Sequence, residues 1–432
     1  MGVDLSVEFC GVKFPNPYVL AAAPPTDKPD MIRRGFEAGW GGAIIKTLSV
    51  KEEPVSLVYP MMHGRGHQGK PLMGLENIDL ISEHDVDVWL PEITKIKQEF
   101  PDNILIASIM ASSREDWQDL VSRLQEAGID MIECSFSCPH GMPDRGMGST
   151  IGQNPELTER TARWVKEAAE VPVIIKLTPN ITDITTSAQA VKDSGADAVC
   201  AINTVKGLLG YNLDNWCPYP EVGGKSTYGG YSGPAVKPIA LKCISEIAKK
   251  VDIPITGVGG LWDWQDAVEF FLSGASTVQS CTAVMAMGFR IIDDLCEGLA
   301  NYLDYKGMKS VQELIGKGLP NIVRHEDLSR ENKVRSYINQ DLCIKCDLCY
   351  IACRDGAHQA IEREDTTRRV ETNTEKCVGC GFCPSVCPVN AISMVPFSEE
   401  EGREIIDMAE EPIREDTSEE IPALVIEDDN EF

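Results

Sequence analysis

The sequence predicts an α/β protein, a (β/α)8 barrel followed by a small ferredoxin-like α+β domain. Three observations lead there. Eight short apolar, β-branched runs recur before residue 310, separated by segments of helical periodicity. Polar residues that are out of place in buried strands gather where those runs end, as expected for a barrel rim. Further on, eight cysteines fall as C-x2-C-x2-C-x3-C written twice. The expected organisation is a barrel over 1–310, a linker over 311–335, the ferredoxin-like domain over 336–396 and an acidic, solvated tail over 397–432.

The strand runs are Tyr18–Ala23, Ala43–Thr47, Ile104–Met110, Asp130–Ser135, Val173–Thr178, Ala198–Thr204, Pro254–Gly259 and Thr277–Cys281. Helical segments alternate with them at Met31–Ala38, Val88–Phe100, Arg114–Ala127, Pro155–Ala169, Ser187–Asp193, Pro234–Lys250 and Asp263–Leu272, and another follows at Phe289–Leu303. Ser113 and Asn154-Pro155 are helix-start signals: a short polar acceptor, or such an acceptor before a proline preset for the first turn. An open doubly wound sheet is the alternative arrangement of such units. The stretch from Lys51 to Glu83 is longer than a scaffold loop needs, which points to a functional or disordered segment.

Composition excludes several classes. The 432 residues are 43% hydrophobic and contain no apolar run long enough to span a bilayer and no signal peptide, so the expected location is the cytoplasm, away from the membrane. A formal charge of -27 argues against binding a nucleic-acid backbone. Fifteen Asp/Glu and two Arg between Glu399 and Phe432 give that segment a net charge of -13. Sixteen cysteines in so long a chain, half of them in regular runs, favour reduced thiols and metal over a disulfide scaffold.

Three short motifs are set aside. Gly64, Gly66 and Gly69 spell G-x-G-x-x-G but do not lie between a strand and a helix, so they are read as a mobile loop. Asn180-Ile181-Thr182 is a glycosylation acceptor only in a secreted protein. Met1-Gly2 with Ser6 fits a lipidation pattern that arises often by chance.

The cysteine spacing is that of two [4Fe–4S] clusters, in which the fourth cysteine of each run serves the other cluster. Cys343, Cys346, Cys349 and Cys387 therefore form one expected ligand set, and Cys377, Cys380, Cys383 and Cys353 the other. A zinc site built from C-x2-C pairs is the competing reading. At the barrel rim, Lys46-Thr47, Ser135 to Cys138, Lys176 to Thr178, Asn203-Thr204, Gly259-Gly260 and Cys281-Thr282 end successive strand runs. Singly, each is explained as a solvated lysine or a small core thiol; together at one rim they mark an active site. The last two pairs can turn backbone N–H groups toward a phosphate. Phosphate there, with two lysines deeper in the mouth, suits FMN, which takes single electrons and passes on a hydride.

Longer strings carry a family resemblance. Arg33 to Trp40, Ser137 to Met142, Tyr228 to Gly233 and the cysteine-rich end resemble the dihydropyrimidine dehydrogenases, in particular the bacterial-type catalytic subunit with FMN and two [4Fe–4S] clusters, and the barrel is related to dihydroorotate dehydrogenases. The resemblance covers about residues 1–395. It implies that Cys138 protonates a ring carbon and that Asn77, Ser135, Ser137, Asn203 and Thr204 contact a small cyclic amide; His140, two residues on, is placed to tune or re-protonate the thiol or else serves as a hydrogen-bonded loop residue. It places Ala22, Lys46, Thr47, Lys176, Gly233, Gly259, Gly260, Cys281 and Thr282 on the flavin. Ser135 departs from the family pattern, which has asparagine three residues before the acid cysteine. Serine offers a hydroxyl where an amide offers a separate donor and acceptor. The implied reaction is reduction of the C5=C6 bond of uracil or thymine, or its reverse. The chain has no nicotinamide site, so an FAD- and NAD(P)H-binding flavoprotein subunit is the implied partner, with this chain as a homodimer inside a hetero-oligomer. The competing readings are dihydroorotate or another cyclic or conjugated carbonyl as substrate, and an electron-transfer subunit without substrate chemistry of its own.

Overall fold

The structure, a computed structural model, describes residues 3–50, 55–65, 72–136 and 148–396. It divides into two compact units, Met1–Ile322 and Val323–Phe432. In chain order the strands of the first unit are β1 (Val7–Phe9), β2 (Val12–Phe14), β3 (Tyr18–Leu20), β4 (Gly42–Leu48), β5 (Met62–Arg65), β6 (Gly74–Asn77), β7 (Ile104–Ile109), β8 (Met131–Ser135), β9 (Val173–Lys176), β10 (Ala198–Ala201), β11 (Val205–Gly207), β12 (Gly229–Ser232), β13 (Ile255–Val258) and β14 (Thr277–Ser280).

Strands β3, β4, β7, β8, β9, β10, β13 and β14 pair in parallel and close on themselves as a barrel. All eight strand runs read from the sequence are there, and the open-sheet alternative falls. Every residue of β4, β7, β8, β9 and β10 is buried. Such strands face side chains on one side and helices on the other, which is why they read as near-continuous apolar runs.

The helices of the outer ring are α1 (Pro29–Ala38), α2 (Val86–Glu99), α3 (Arg114–Glu126), the short α4 (Ser149–Gly152), α5 (Pro155–Ala168), α6 (Ile184–Ser194), α7 (Lys237–Lys250), α8 (Trp264–Leu272), the short α9 (Thr282–Met287) and α10 (Ile291–Tyr305). Both start signals act as expected: the Ser113 side chain accepts from the Asp116 N–H, and the Asn154 side chain from the Leu157 N–H. Helix α1 ends at Gly39 in the left-handed conformation at φ +109°, where a side chain would be strained.

Two features were not legible. The β1–β2 hairpin packs Val7, Phe9 and Phe14 against Val19, Ile44, Ile104 and Met131 at the starts of barrel strands, so it plugs the end opposite the catalytic rim. Strands β5, β6, β12 and β11 form an antiparallel sheet at the barrel mouth. Gly64 lies in β5, which corrects its reading as part of a loop; Gly66 and Gly69 fall outside the described residues. Two glycines let β12 approach its neighbours closely. A Cβ on Gly229 would sit 2.6 Å from the Asn77 carbonyl, and one on Gly230 would collide with the Thr204 side chain. Val311 and Leu314, in the stretch read as linker, are buried in the barrel's core.

The second unit contains β15 (Val334–Ile338), α11 (Leu348–Gly356), β16 (Ile361–Arg363), β17 (Val370–Thr372), α12 (Phe382–Val386) and β18 (Ile392–Pro396). Strand β15 pairs antiparallel with β18, and β16 with β17. The acidic segment from residue 397 lies outside the described residues. No helix among the described residues is long and apolar enough to cross a membrane.

Candidate active site and cluster sites

The ends of the barrel strands and the mouth sheet line a cavity that opens to solvent. Its lining includes Ala22, Lys46, Thr47, Asn77, Ser135, Lys176, Asn203, Thr204, Gly233, Gly259, Gly260, Cys281 and Thr282. Every described residue assigned to flavin or substrate in the sequence is thus in one place, whereas Phe136, Leu177 and Thr178 of the rim strings are buried away from the cavity lining. Cys138 and Ser137, with His140, lie outside the described residues.

Each polar group is fixed by an identifiable element. Lys46, near the end of β4, lies 3.1 Å from Asp79 and 3.6 Å from Asp27, so this buried cation has two carboxylate partners. Burial raises the pKa of Asp79, and the Lys46 charge opposes that. Thr47 Oγ1 shares a hydrogen bond with Ser108 Oγ at 2.9 Å. Asn77 Nδ2 donates to the Gly230 carbonyl at 3.0 Å, tying β6 to β12. Asn203 Oδ1 accepts from the Thr204 N–H at 2.8 Å. Lys176 Nζ lies 3.3 Å from Glu133 Oε1, a fully buried carboxylate on β8.

The sequence reading missed Glu133, Asp79, Gln279, Ser280, Ser232 and Tyr231, which also line the cavity. A signal for Glu133 was present, as the charged residue inside the Met131–Ser135 strand; Gln279, flanked by Val278 and Ser280, gave none.

The residues fit a flavin mononucleotide. Gly233, Gly259 and Gly260 have φ of +95°, +124° and +84°, so the backbone there turns in a way side-chain-bearing residues resist. Helix α9 begins at Thr282 without a side-chain cap, and the first N–H groups of a helix have no intrahelical partner. Ser280 Oγ, only 3% exposed, has no hydrogen-bond partner among the described residues although it lies in the cavity wall. An orphaned buried hydroxyl costs free energy unless a bound group satisfies it.

The second unit holds two smaller cavities. The lining of one includes Cys353, Cys377, Cys380 and Cys383. The lining of the other includes Cys343, Cys346, Cys349 and Cys387. Each combines three cysteines of one run with the last of the other, the crossing expected from the spacing. The loops repeat as well: Lys345 and Asp347 in the first run, and Gly379 and Gly381 in the second, all have positive φ. The N–H groups of Ala360 and Ala391 donate to Cys353 Sγ and Cys387 Sγ, each at 3.2 Å. Such bonds to sulfur tune a cluster's potential. Among the described residues no three His, Cys, Asp or Glu side chains converge as a single metal ion requires. Thiols spread around a cavity suit a cubane rather than zinc.

Residues 4–303 match the dihydroorotate dehydrogenase family, and residues 336–394 match the 4Fe-4S dicluster domain. The chain belongs to the dihydroorotate dehydrogenase family. The NAD-dependent dihydropyrimidine dehydrogenase subunit PreA of Escherichia coli K12 is 43% identical over 396 residues, spanning 90% of this chain and 95% of that protein. The chloroplastic dihydropyrimidine dehydrogenase (NADP(+)) of Arabidopsis thaliana is 39% identical over 342 residues, 76% of this chain and 80% of that one. The catalytic subunit of dihydroorotate dehydrogenase B (NAD(+)) of Pyrococcus abyssi is 38% identical over 322 residues, 73% of this chain and 99% of that one. Members of the family are FMN-dependent oxidoreductases acting on CH–CH bonds, and the dicluster domain carries two [4Fe–4S] clusters. This chain combines both.

Proposed function

We propose that this chain reduces the C5=C6 bond of a pyrimidine base, uracil or thymine, with electrons that reach it through its two clusters. The observation that carries this reading is the charge of the cavity. Among its described lining residues there is no arginine, and both lysines already have carboxylate partners: Lys46 with Asp79 and Asp27, Lys176 with Glu133. A substrate with its own carboxylate would meet no uncompensated cation there, whereas a neutral cyclic amide needs none. Identity to the dihydroorotate dehydrogenase B subunit favours dihydroorotate as the second reading, and the paired lysines weigh against it.

FMN, when bound, supplies hydride transfer at the ring carbon and single-electron exchange with the clusters. Ala22, Lys46, Thr47, Lys176, Gly233, Gly259, Gly260, Cys281 and Thr282 would hold it. Asn77, Ser135, Asn203 and Thr204, with Ser137, bind the base. Their amides and hydroxyls offer donors and acceptors to match the alternating N–H and C=O groups of a pyrimidine. Cys138 holds the proton that goes to the neighbouring ring carbon. An unperturbed thiol, with a pKa near ~8.5, is mostly protonated at neutral pH and suited to that task.

The relative PreA is named as a subunit of an NAD-dependent enzyme. This supports an FAD- and NAD(P)H-binding flavoprotein partner for this chain, with a homodimer of the chain inside a hetero-oligomer in the cytoplasm. Dye-reduced holoprotein assayed with uracil, thymine and orotate tests the substrate. Uracil and thymine are expected to be reduced and orotate to react at least tenfold more slowly; preferential reduction of orotate would overturn the assignment.

A further inference from the structure

The barrel cavity is lined by a buried network in which the chemistry above gives a direct role to Lys176 but none to Gln279. Glu133 on β8 is 0% exposed and Gln279 on β14 is 1% exposed. Lys176 Nζ lies 3.3 Å from Glu133 Oε1 and 3.5 Å from Gln279 Oε1. Gln279 Nε2 in turn donates to Glu133 Oε2 at 3.1 Å, with Cys200 Sγ at 3.3 Å and Thr256 Oγ1 at 3.4 Å around it. The orientation of the Gln279 amide is forced, because an ammonium can only donate and a carboxylate can only accept. Both Glu133 oxygens are therefore engaged, and the carboxylate cannot turn away from Lys176 without losing two bonds. Two of the three Lys176 donors are directed at these partners, and Lys176 itself lines the cavity.

We propose that Glu133, locked by Gln279, is a positioning residue that fixes Lys176 as a cation against the flavin ring and thereby sets the cofactor's reduction potential. The inference rests on FMN occupying this cavity. Burial is the largest single influence on Lys176 and works against its charge; the Glu133 charge and hydrogen bond lead the opposing influences, which together raise the pKa of the lysine. The other titratable groups acting on Lys176 are the thiols Cys200 and Cys281. Burial pushes both up, Cys281 to about 12, with Asp79 adding to the effect on Cys281, so neither competes as an anion near neutral pH. Glu133 is the carboxylate that holds the proton on Lys176. Reduced flavin carries more negative charge than oxidised flavin, so a fixed cation favours the reduced form. Without Glu133, the desolvated lysine gives up its proton and that preference falls.

The test is a spectroelectrochemical titration of the FMN in the holoprotein, after flavin content has been measured, for wild type, E133Q, K176M and the double variant. At a fixed electrode potential, E133Q is expected to lower the ratio of reduced to oxidised flavin at least tenfold, about 30 mV for a two-electron couple. K176M is expected to lower it equally, and the double variant no further, because Glu133 acts through Lys176. An unchanged or raised ratio in E133Q, or effects that add in the double variant, overturns the inference. Should E133Q hold no flavin, E133D decides by the same criterion: it draws the charge back by one methylene and is expected to shift the ratio in the same direction by a smaller factor. Wild-type protein without FMN would overturn the cavity assignment and this inference together, whereas full FMN with an unmoved potential overturns the inference alone.

Discussion

The barrel and the cluster unit solve the problem of a stable interior in opposite ways. The barrel buries a continuous apolar core between strands and helices, with Trp40, Trp89, Trp117, Phe270 and Phe271 at or below 1% exposure. The core of the cluster unit is one small group of buried residues in which Cys349, Cys353 and Cys383 take the place of larger apolar side chains. Those thiols face two cavities instead of packing on one another. A domain this small cannot bury enough apolar surface without a staple. The barrel can therefore fold before it meets its flavin, whereas the second unit needs its clusters in order to fold.

The largest expected effect breaks that comparison directly. Stripping iron and sulfide, or introducing Cys383→Ala, should unfold the second unit while the barrel stays protected, as read by limited proteolysis and hydrogen exchange. Removing FMN alone should leave both units folded. If the iron-free second unit kept its protection, the contrast would be wrong. Next in size is the chemistry carried by the barrel. Cys138→Ala should keep flavin and clusters but lower turnover by roughly 10²–10⁴-fold, the usual worth of a positioned general acid; normal turnover would remove Cys138 from the proposed mechanism. Within the barrel core, Trp40→Ala removes a buried indole whose Nε1 donates to the Phe289 carbonyl at 2.9 Å. It should cost about 3–5 kcal/mol in urea denaturation followed on the barrel. Smallest is Ser113→Ala, which removes the cap of α3 and should cost ~1 kcal/mol by the same measurement.

How far each part could be read from sequence follows from the same physics. The barrel strands are buried on both faces, so they stand out as apolar runs, and the cysteine runs repeat a spacing that suits the geometry of a [4Fe–4S] cluster. The mouth sheet was hidden because its strands are short and two of its key positions are Gly229 and Gly230, chosen for close approach and silent in hydrophobic periodicity. Glu133 and Gln279 were passed over for the opposite reason: each sits inside a strand run, beside Ile132 and Cys134 or beside Val278, and was read with the strand and not as a site. Lys46 and Lys176 were noticed because they lie at strand ends. A charged residue within a doubly buried strand marks a paired interior network as surely as one at the rim marks a site. The β1–β2 hairpin turns at Cys10-Gly11, with Cys10 at φ +53°, and a cysteine there gives no turn signal.

The measurement that tests the account most directly is a single anaerobic reaction of fully reduced holoprotein with uracil, followed at once by flavin absorbance and cluster EPR. The flavin holds two electrons and each cluster one, so about two equivalents of dihydrouracil should form per chain as both signals return to the oxidised state. Flavin that reoxidises while the clusters stay reduced, or no reaction with uracil at all, would contradict a single redox path from the cluster unit to the barrel cavity.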